Sequence, residues 1–192
     1  MPMPAAHMLL GAAAAELVVA VRPLPRYPAW AAGALIAILP DADIAFRLLT
    51  GNYVAAERPM THSLLALLIF AGMAWAIAGR RWSAVTAAAY GSHLVADLLQ
   101  HQPATSVAPL WPLQSEGMAP LLPLFPYIPI VRGEGGRAAA LALLREPSFP
   151  PLLQETAIAA GIFFGALLIA GRIRRRRFGT LPTPLPDRSA PR

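Results

Sequence analysis

Apolar residues come in five blocks along the chain, most of them closed by proline, glycine or arginine. The blocks predict helices over residues 4–21, 28–39, 63–79, 82–100 and 156–171. Arg22-Pro23 ends the first, Pro40 stops the second, and Arg80-Arg81 closes the third, an uninterrupted apolar run. The fifth gives way to the arginine run 172–177. All five are rich in Ala and Gly, which lets helices approach closely in lipid. Each is short for a full span, so tilted packing or a half-buried bundle also fits the pattern.

Two stretches read as connections. Residues 41–62 have polar and acidic character. Residues 101–155 are broken by Pro103, Pro109, Pro112, Pro120, Pro123, Pro126 and Pro129, which forbid one long helix. This second stretch is still apolar, and is expected along the membrane surface or folded over the bundle as a lid, with one short helix over 136–145. The segment 178–192, rich in Pro, Arg and Thr, reads as a disordered tail. The chain is therefore expected as one membrane-embedded domain, 1–177, plus that tail.

Composition sharpens this reading. The chain is 56% hydrophobic and only 14% charged over 192 residues, which makes an integral membrane protein the first expectation. The fold class expected is an all-α bundle of about five helices with a long proline-rich outer connection. The net charge of +6 comes entirely from arginine, because the sequence has no lysine. These arginines cluster at the ends of apolar runs, which fits membrane orientation rather than a nucleic-acid face. Placing Arg22, Arg26, Arg80, Arg81 and the 172–177 cluster on the cytoplasmic side puts the N-terminus outside and the C-terminus inside. The first block has no positive lead and is interrupted by Glu16, so it reads as a structural helix rather than a secretory signal.

That topology gathers the candidate chemistry. His7 falls at the outer start of the first helix, and Asp41 and Asp43 at the outer end of the second. His62 falls at the outer start of the third, and His93 and Asp97 in the outer half of the fourth. Random placement would divide them between two sides. Without cysteine, any metal must be held by His, Asp or Glu, and imidazoles with carboxylates are usual ligands of Zn²⁺ and related divalent ions. His93 and Asp97 are four apart, so they leave one helical face and can share an ion. The set exceeds what one tetrahedral ion needs, so one ion with outer acids or more than one ion are both expected. An ion-activated water would be the nucleophile, and a spare aspartate a general base.

Plainer roles compete with these. Asp41 and Asp43 fit a turn that caps a following helix, and Thr61 and Ser63 fit caps of the third helix. The His93/Asp97 pair also fits a buried hydrogen-bonded pair or a proton path in a transporter. Arg58 reads as an interfacial anchor or a clamp on a substrate phosphate, and Trp111 as an interfacial residue. Glu16 reads as serving a neighbouring helix, His101 as a loop residue, and Glu134, Glu146 and Glu155 as solvated charges.

Taken together, His7 with its small-residue helix, Leu39-Pro-Asp-Ala-Asp43, Arg58-Pro-Met-Thr-His-Ser63, Gly91-Ser-His-Leu-Val-Ala-Asp97 and Leu110-Trp-Pro-Leu113 resemble the YdjM-like family of membrane-bound metal-dependent hydrolases. That family is distantly similar to the zinc-dependent phospholipase C and P1 nuclease group. The resemblance implies hydrolysis of a phosphoester or lipid-borne substrate; the expected location is the inner membrane of a bacterium, with the arginine bias putting the site on the extracytoplasmic side. It implies His7, Asp41, Asp43, His62, His93 and Asp97 as ligands of one or more zinc ions, and Asp43, Asp97 and Arg58 as catalytic groups. Membrane lipids are the expected partners, and no nucleic acid is expected. Glu57 stands where the family usually has histidine, and the 97–111 segment is slightly longer than usual. An ion-coupled transporter and a scaffold with a structural metal remain the alternatives.

Overall fold

The computed structural model describes residues 3–42, 60–101, 107–114, 117–127 and 148–178. Among them are five α-helices and no strand: α1 Pro4–Val21, α2 Arg26–Ile36, α3 Leu64–Ala78, α4 Arg80–Leu98 and α5 Phe149–Phe178. A single 3₁₀ turn, Leu39–Asp41, follows α2. The expected all-α fold class holds, and α1 matches its expected bounds. The short helix expected over 136–145 and the tail beyond Phe178 lie outside the described residues.

Local chemistry explains the boundaries. Pro4 opens α1, where its missing N–H costs nothing. Pro40 cannot continue the ladder of α2, so the chain tightens into the 3₁₀ turn that carries Asp41. Ser63 caps α3: its Oγ accepts from the Ala66 N–H at 3.1 Å and donates to the Met60 carbonyl at 2.7 Å. Gly79, at φ 82°, takes the left-handed conformation that turns α3 directly into α4. The fifth helix is longer than expected at both ends. Pro150 and Pro151 are tolerated in its first turn, and the arginines past Gly171 are good helix formers placed at the favourable end of the dipole.

The first helix is the axis of the bundle, packing against α2, α4 and α5. Its contact with α2 is a crossing of small residues. A Cβ built on Gly11 would lie 2.3 Å from the Gly33 carbonyl oxygen, and one on Gly33 would lie 2.5 Å from that of Gly11. Read at four-residue steps, α1 presents His7, Gly11 and Ala15, and the opposing strip presents Gly33, Ala37 and Asp41. The glycines let the backbones touch, and the touching backbones bring the two strips' terminal residues, His7 and Asp41, together.

The two ends of the bundle differ in charge. At one end Glu16, wholly buried, is bound by Arg26 at 3.0 and 3.1 Å, by the Trp30 indole N–H at 2.8 Å and by Arg174 at 2.6 Å. Arg22 donates to the Arg80 carbonyl, Arg81 to the Pro23 carbonyl and Arg177 to the Val21 carbonyl. These bonds knit α1, α2, α5 and the α3–α4 turn. Glu16 thus serves neighbouring helices, as expected. Replacing Glu16 with Gln should lower stability by about 2–3 kcal/mol in detergent. That is below the full value for a buried pair because Arg26 and Arg174 still reach solvent. Chemical unfolding followed by circular dichroism measures it, and an unchanged midpoint would contradict the role.

Two helices, α1 and α5, are long and apolar enough to cross a membrane, while α3 is a shorter apolar helix. Apolar side chains lie bare along α3 and α5, including Leu68, Trp75 and Ile77 on the first and Leu153, Phe164 and Leu168 on the second. Bare apolar surface of this extent suits hydrocarbon better than water.

Candidate metal centre

Opposite the arginine end, five buried polar side chains converge: His7, Asp41, His62, His93 and Asp97. They come from α1, the 3₁₀ turn, the residue before the α3 cap, and the last turns of α4. From His7 to Val21 the rise of α1 is about 21 Å, which separates this cluster from the arginines.

The donor atoms face one another. His93 Nε2 lies 3.2 Å from His62 Nε2, 3.3 Å from Asp97 Oδ2 and 3.7 Å from Asp41 Oδ1. His62 Nε2 lies 3.4 Å from Asp41 Oδ1 and 3.5 Å from Asp97 Oδ2. Bonds of 2.0–2.1 Å in a tetrahedron set donors about 3.3–3.4 Å apart. The five distances among these four atoms run from 3.2 to 3.7 Å, close to that spacing. On the far side of the two carboxylates, His7 Nε2 lies 3.5 Å from Asp97 Oδ1 and 3.9 Å from Asp41 Oδ2. Each carboxylate is therefore turned with one oxygen toward His62 and His93 and the other toward His7.

For two of the rings, the second nitrogen shows how the ring is held. His93 Nδ1 lies 2.7 Å from the Ala37 carbonyl oxygen, which can only accept, so the proton is on Nδ1 and Nε2 offers a lone pair. His62 Nδ1 lies 3.0 Å from Thr61 Oγ1, so Thr61 orients a histidine while Ser63 alone caps α3. Tyr90 fixes that loop by donating to the Thr61 carbonyl at 2.5 Å. The His7 ring stacks on His93 with centroids 3.9 Å apart.

A cation fits this arrangement. His7 Nε2, Asp41 Oδ1 and both Asp97 oxygens are buried with no hydrogen-bond partner among the described residues. Asp41 and Asp97 are both buried against the same three imidazoles, so their negative charge needs compensation from within the site. A divalent ion supplies that compensation and uses the orphaned atoms. His7, Asp41 and His93 form one group able to hold a metal, and His62, His93 and Asp97 another.

Part of the proline-rich connection covers this end. The Ala108 N–H donates to the His62 carbonyl, and the Leu64 N–H to the Pro109 carbonyl. The N–H groups of Leu121, Leu124 and Phe125 satisfy carbonyls left open at the end of α4. Val107, Ala108 and Phe125 are buried beneath. For the described residues, the lid reading holds. Close in sequence to the site residues, Leu39, Met60 and Leu64 are exposed apolar side chains, as are Leu110 and Leu113 in the covering segment.

Five of the six expected ligands are thus brought together. Asp43, Arg58 and Glu57 lie outside the described residues, as do Glu134 and Glu146. His101 is an exposed loop residue, as expected, joined through its backbone to Phe125. Glu155 corrects the sequence reading: it is wholly buried rather than solvated. Its place in Gln154-Glu155-Thr156, at the start of an apolar run, gave no sign of this. The Ala37 carbonyl was equally invisible, since any residue supplies one.

Among known proteins, the family model described as YdjM inner membrane protein matches residues 1–170 of the chain. No curated protein matches it. No solved structure does either.

Proposed function

The chain belongs to the YdjM inner membrane protein family, and we propose that it is a membrane-bound metal-dependent hydrolase. The observation that carries this reading is the meeting of five buried imidazoles and carboxylates, of which His7, Asp41 and Asp97 have side-chain atoms with no hydrogen-bond partner among the described residues. His62, His93, Asp41 and Asp97 would hold a zinc ion, and His7 with the outer oxygens of the two aspartates a second. Such an ion supplies Lewis acidity and brings the ionisation of a water toward neutral pH.

The chain's own groups do the rest. Ala37 and Thr61 hold two imidazoles in fixed orientation, so little reorganisation is needed when charge develops nearby. The cover formed by residues 107–114 and 117–127 keeps bulk water from the buried carboxylates. Asp43, two residues past Asp41, is assigned on sequence grounds as the proton acceptor, and Arg58 as the contact to an anionic substrate group. The exposed apolar side chains close in sequence to the site residues favour a substrate carried on a lipid, and the separation of this end from the arginines favours the extracytoplasmic side. A phosphoester is the substrate class, by the resemblance to zinc-dependent phospholipases.

Protein purified in mild detergent should retain stoichiometric zinc and cleave a phosphoester lipid in mixed micelles. Stripping with a chelator should stop turnover, and added zinc should restore it. Protein that holds no divalent metal and cleaves nothing would sink the proposal. Flux into vesicles driven by an ion gradient would favour a transporter instead.

A further inference from the structure

His62 and His93 each have a partner on the ring nitrogen that points away from the centre, but His7 Nδ1, also buried, has none among the described residues. A second unpartnered atom accompanies it. Glu155 is 0% exposed, and while its Oε1 accepts the Met3 N–H at 2.5 Å, its Oε2 has no partner among the described residues. One orphan is a potential donor and the other an acceptor.

The packing places both on one seam. Ala159, one turn along α5 from Glu155, packs in a cluster with Ala6 and Ala96. These two residues are the immediate neighbours of His7 and Asp97. Glu155 therefore faces the α1–α4 seam one turn nearer the end of the bundle than Ala159 does. Met3, which it binds, is one helical turn before His7, and the two are linked by the His7 N–H to the Met3 carbonyl at 3.3 Å. A helical side chain leans over the turn that precedes its own Cα, which for His7 is the turn beginning at Met3.

We propose that Glu155 is the positioning residue of His7: the Nδ1–H donates to one bridging water, which donates in turn to Oε2, so that the proton stays on Nδ1 and Nε2 is presented bare to Asp41 and Asp97. Metal-binding histidines commonly have such a carboxylate behind them, which fixes ring and tautomer together. The third imidazole then matches the other two, each held from behind by a hydrogen-bond partner. The same carboxylate closes the first turn of α1 through Met3, so one residue from α5 sets both the start of the helix and the ring upon it. This assignment rests on the metal-centre reading only in its consequence for zinc. The hydrogen bond itself belongs to the metal-free protein.

The test uses the full chain in detergent, as wild type, Glu155→Gln and Glu155→Asp. The Gln variant keeps an acceptor for the Met3 N–H while replacing the free acceptor with a donor. Nitrogen-15 spectra of histidine-labelled, zinc-free protein, with His7 identified through His7→Asn, should show the wild-type ring protonated on Nδ1. In Glu155→Gln that preference should be lost, and Glu155→Asp should restore part of it. Zinc affinity, by competition with a chromophoric chelator, should fall about 10–100-fold in Glu155→Gln. An unchanged His7 tautomer in Glu155→Gln would overturn the assignment, even if thermal stability fell, because a purely structural cap moves stability alone. Wild-type protein that binds no zinc would remove the hydrolase reading but leave the spectra to decide the role of Glu155. Zinc-binding wild type with an unaltered Glu155→Gln would do the reverse.

Discussion

Replacing Asp97 with Asn should strip zinc from the protein and abolish phosphoester cleavage while the helices stay assembled. Among the described residues, Asp97 is the one side chain whose oxygens lie within 3.5 Å of all three site histidines. Asn occupies the same volume but removes the charge that faces the cation and puts a donor where one acceptor was. Breaking one partner of a buried charge set costs about 3–5 kcal/mol, which corresponds to a loss in affinity of roughly 10²–10³-fold. Competition with a chelator of known affinity measures this. Circular dichroism should stay at the wild-type value, because the main-chain contacts of α4 do not involve that side chain. Asp97→Asn protein that retains zinc at wild-type affinity would show that the ion, if any, is held elsewhere.

The second large effect comes from a residue with no chemistry of its own. Gly11→Val should prevent the α1–α2 crossing and remove zinc binding with it. The added Cβ alone would lie 2.3 Å from the Gly33 carbonyl oxygen and 2.5 Å from the Ala37 Cβ, so the backbones must separate. Overpacking of this kind costs about 3 kcal/mol, and here the obstruction is a carbonyl that cannot rotate away. Ala37 also holds His93 through its carbonyl, and the strip it belongs to ends in Asp41, so displacement reaches the metal centre directly. Gly161→Ala and Gly165→Ala are the controls. A Cβ at either meets nothing within 4 Å, and each should be neutral or stabilising by up to about 1 kcal/mol. If Gly11→Val folds and binds zinc as the wild type does, the crossing is not what positions the site.

The legible features of this chain were those set by local rules. Apolar blocks ended by Pro40, Gly79 and Arg22-Pro23 gave the helices, because breakers act on the backbone where they stand. The spacing of His93 and Asp97 placed both on one helical face for the same reason. Ser63 as the α3 cap followed from its position before an apolar run. The end of α5 was misread at Gly171, since a run of arginines looks like a connection by polarity and like a good helix by propensity. Propensity won. Thr61 shows the limit of such rules: by position it is a cap candidate, yet its hydroxyl meets an imidazole.

Sequence by itself determined that this protein is a helical one rich in apolar surface, with its imidazoles, Asp41 and Asp97 toward one end of the helices and the helix-flanking arginines at the other. Periodicity, breakers and charge are properties of neighbours along the chain, and they need no partner to be read. Tertiary structure alone decided that His62 and His93 approach to 3.2 Å, that Glu16 is shared by two arginines, and that Glu155 is buried against the first turn of α1. Those outcomes depend on how closely helices pack, and that distance was set by Gly11 and Gly33 touching backbone to backbone across a gap that no linear pattern encodes.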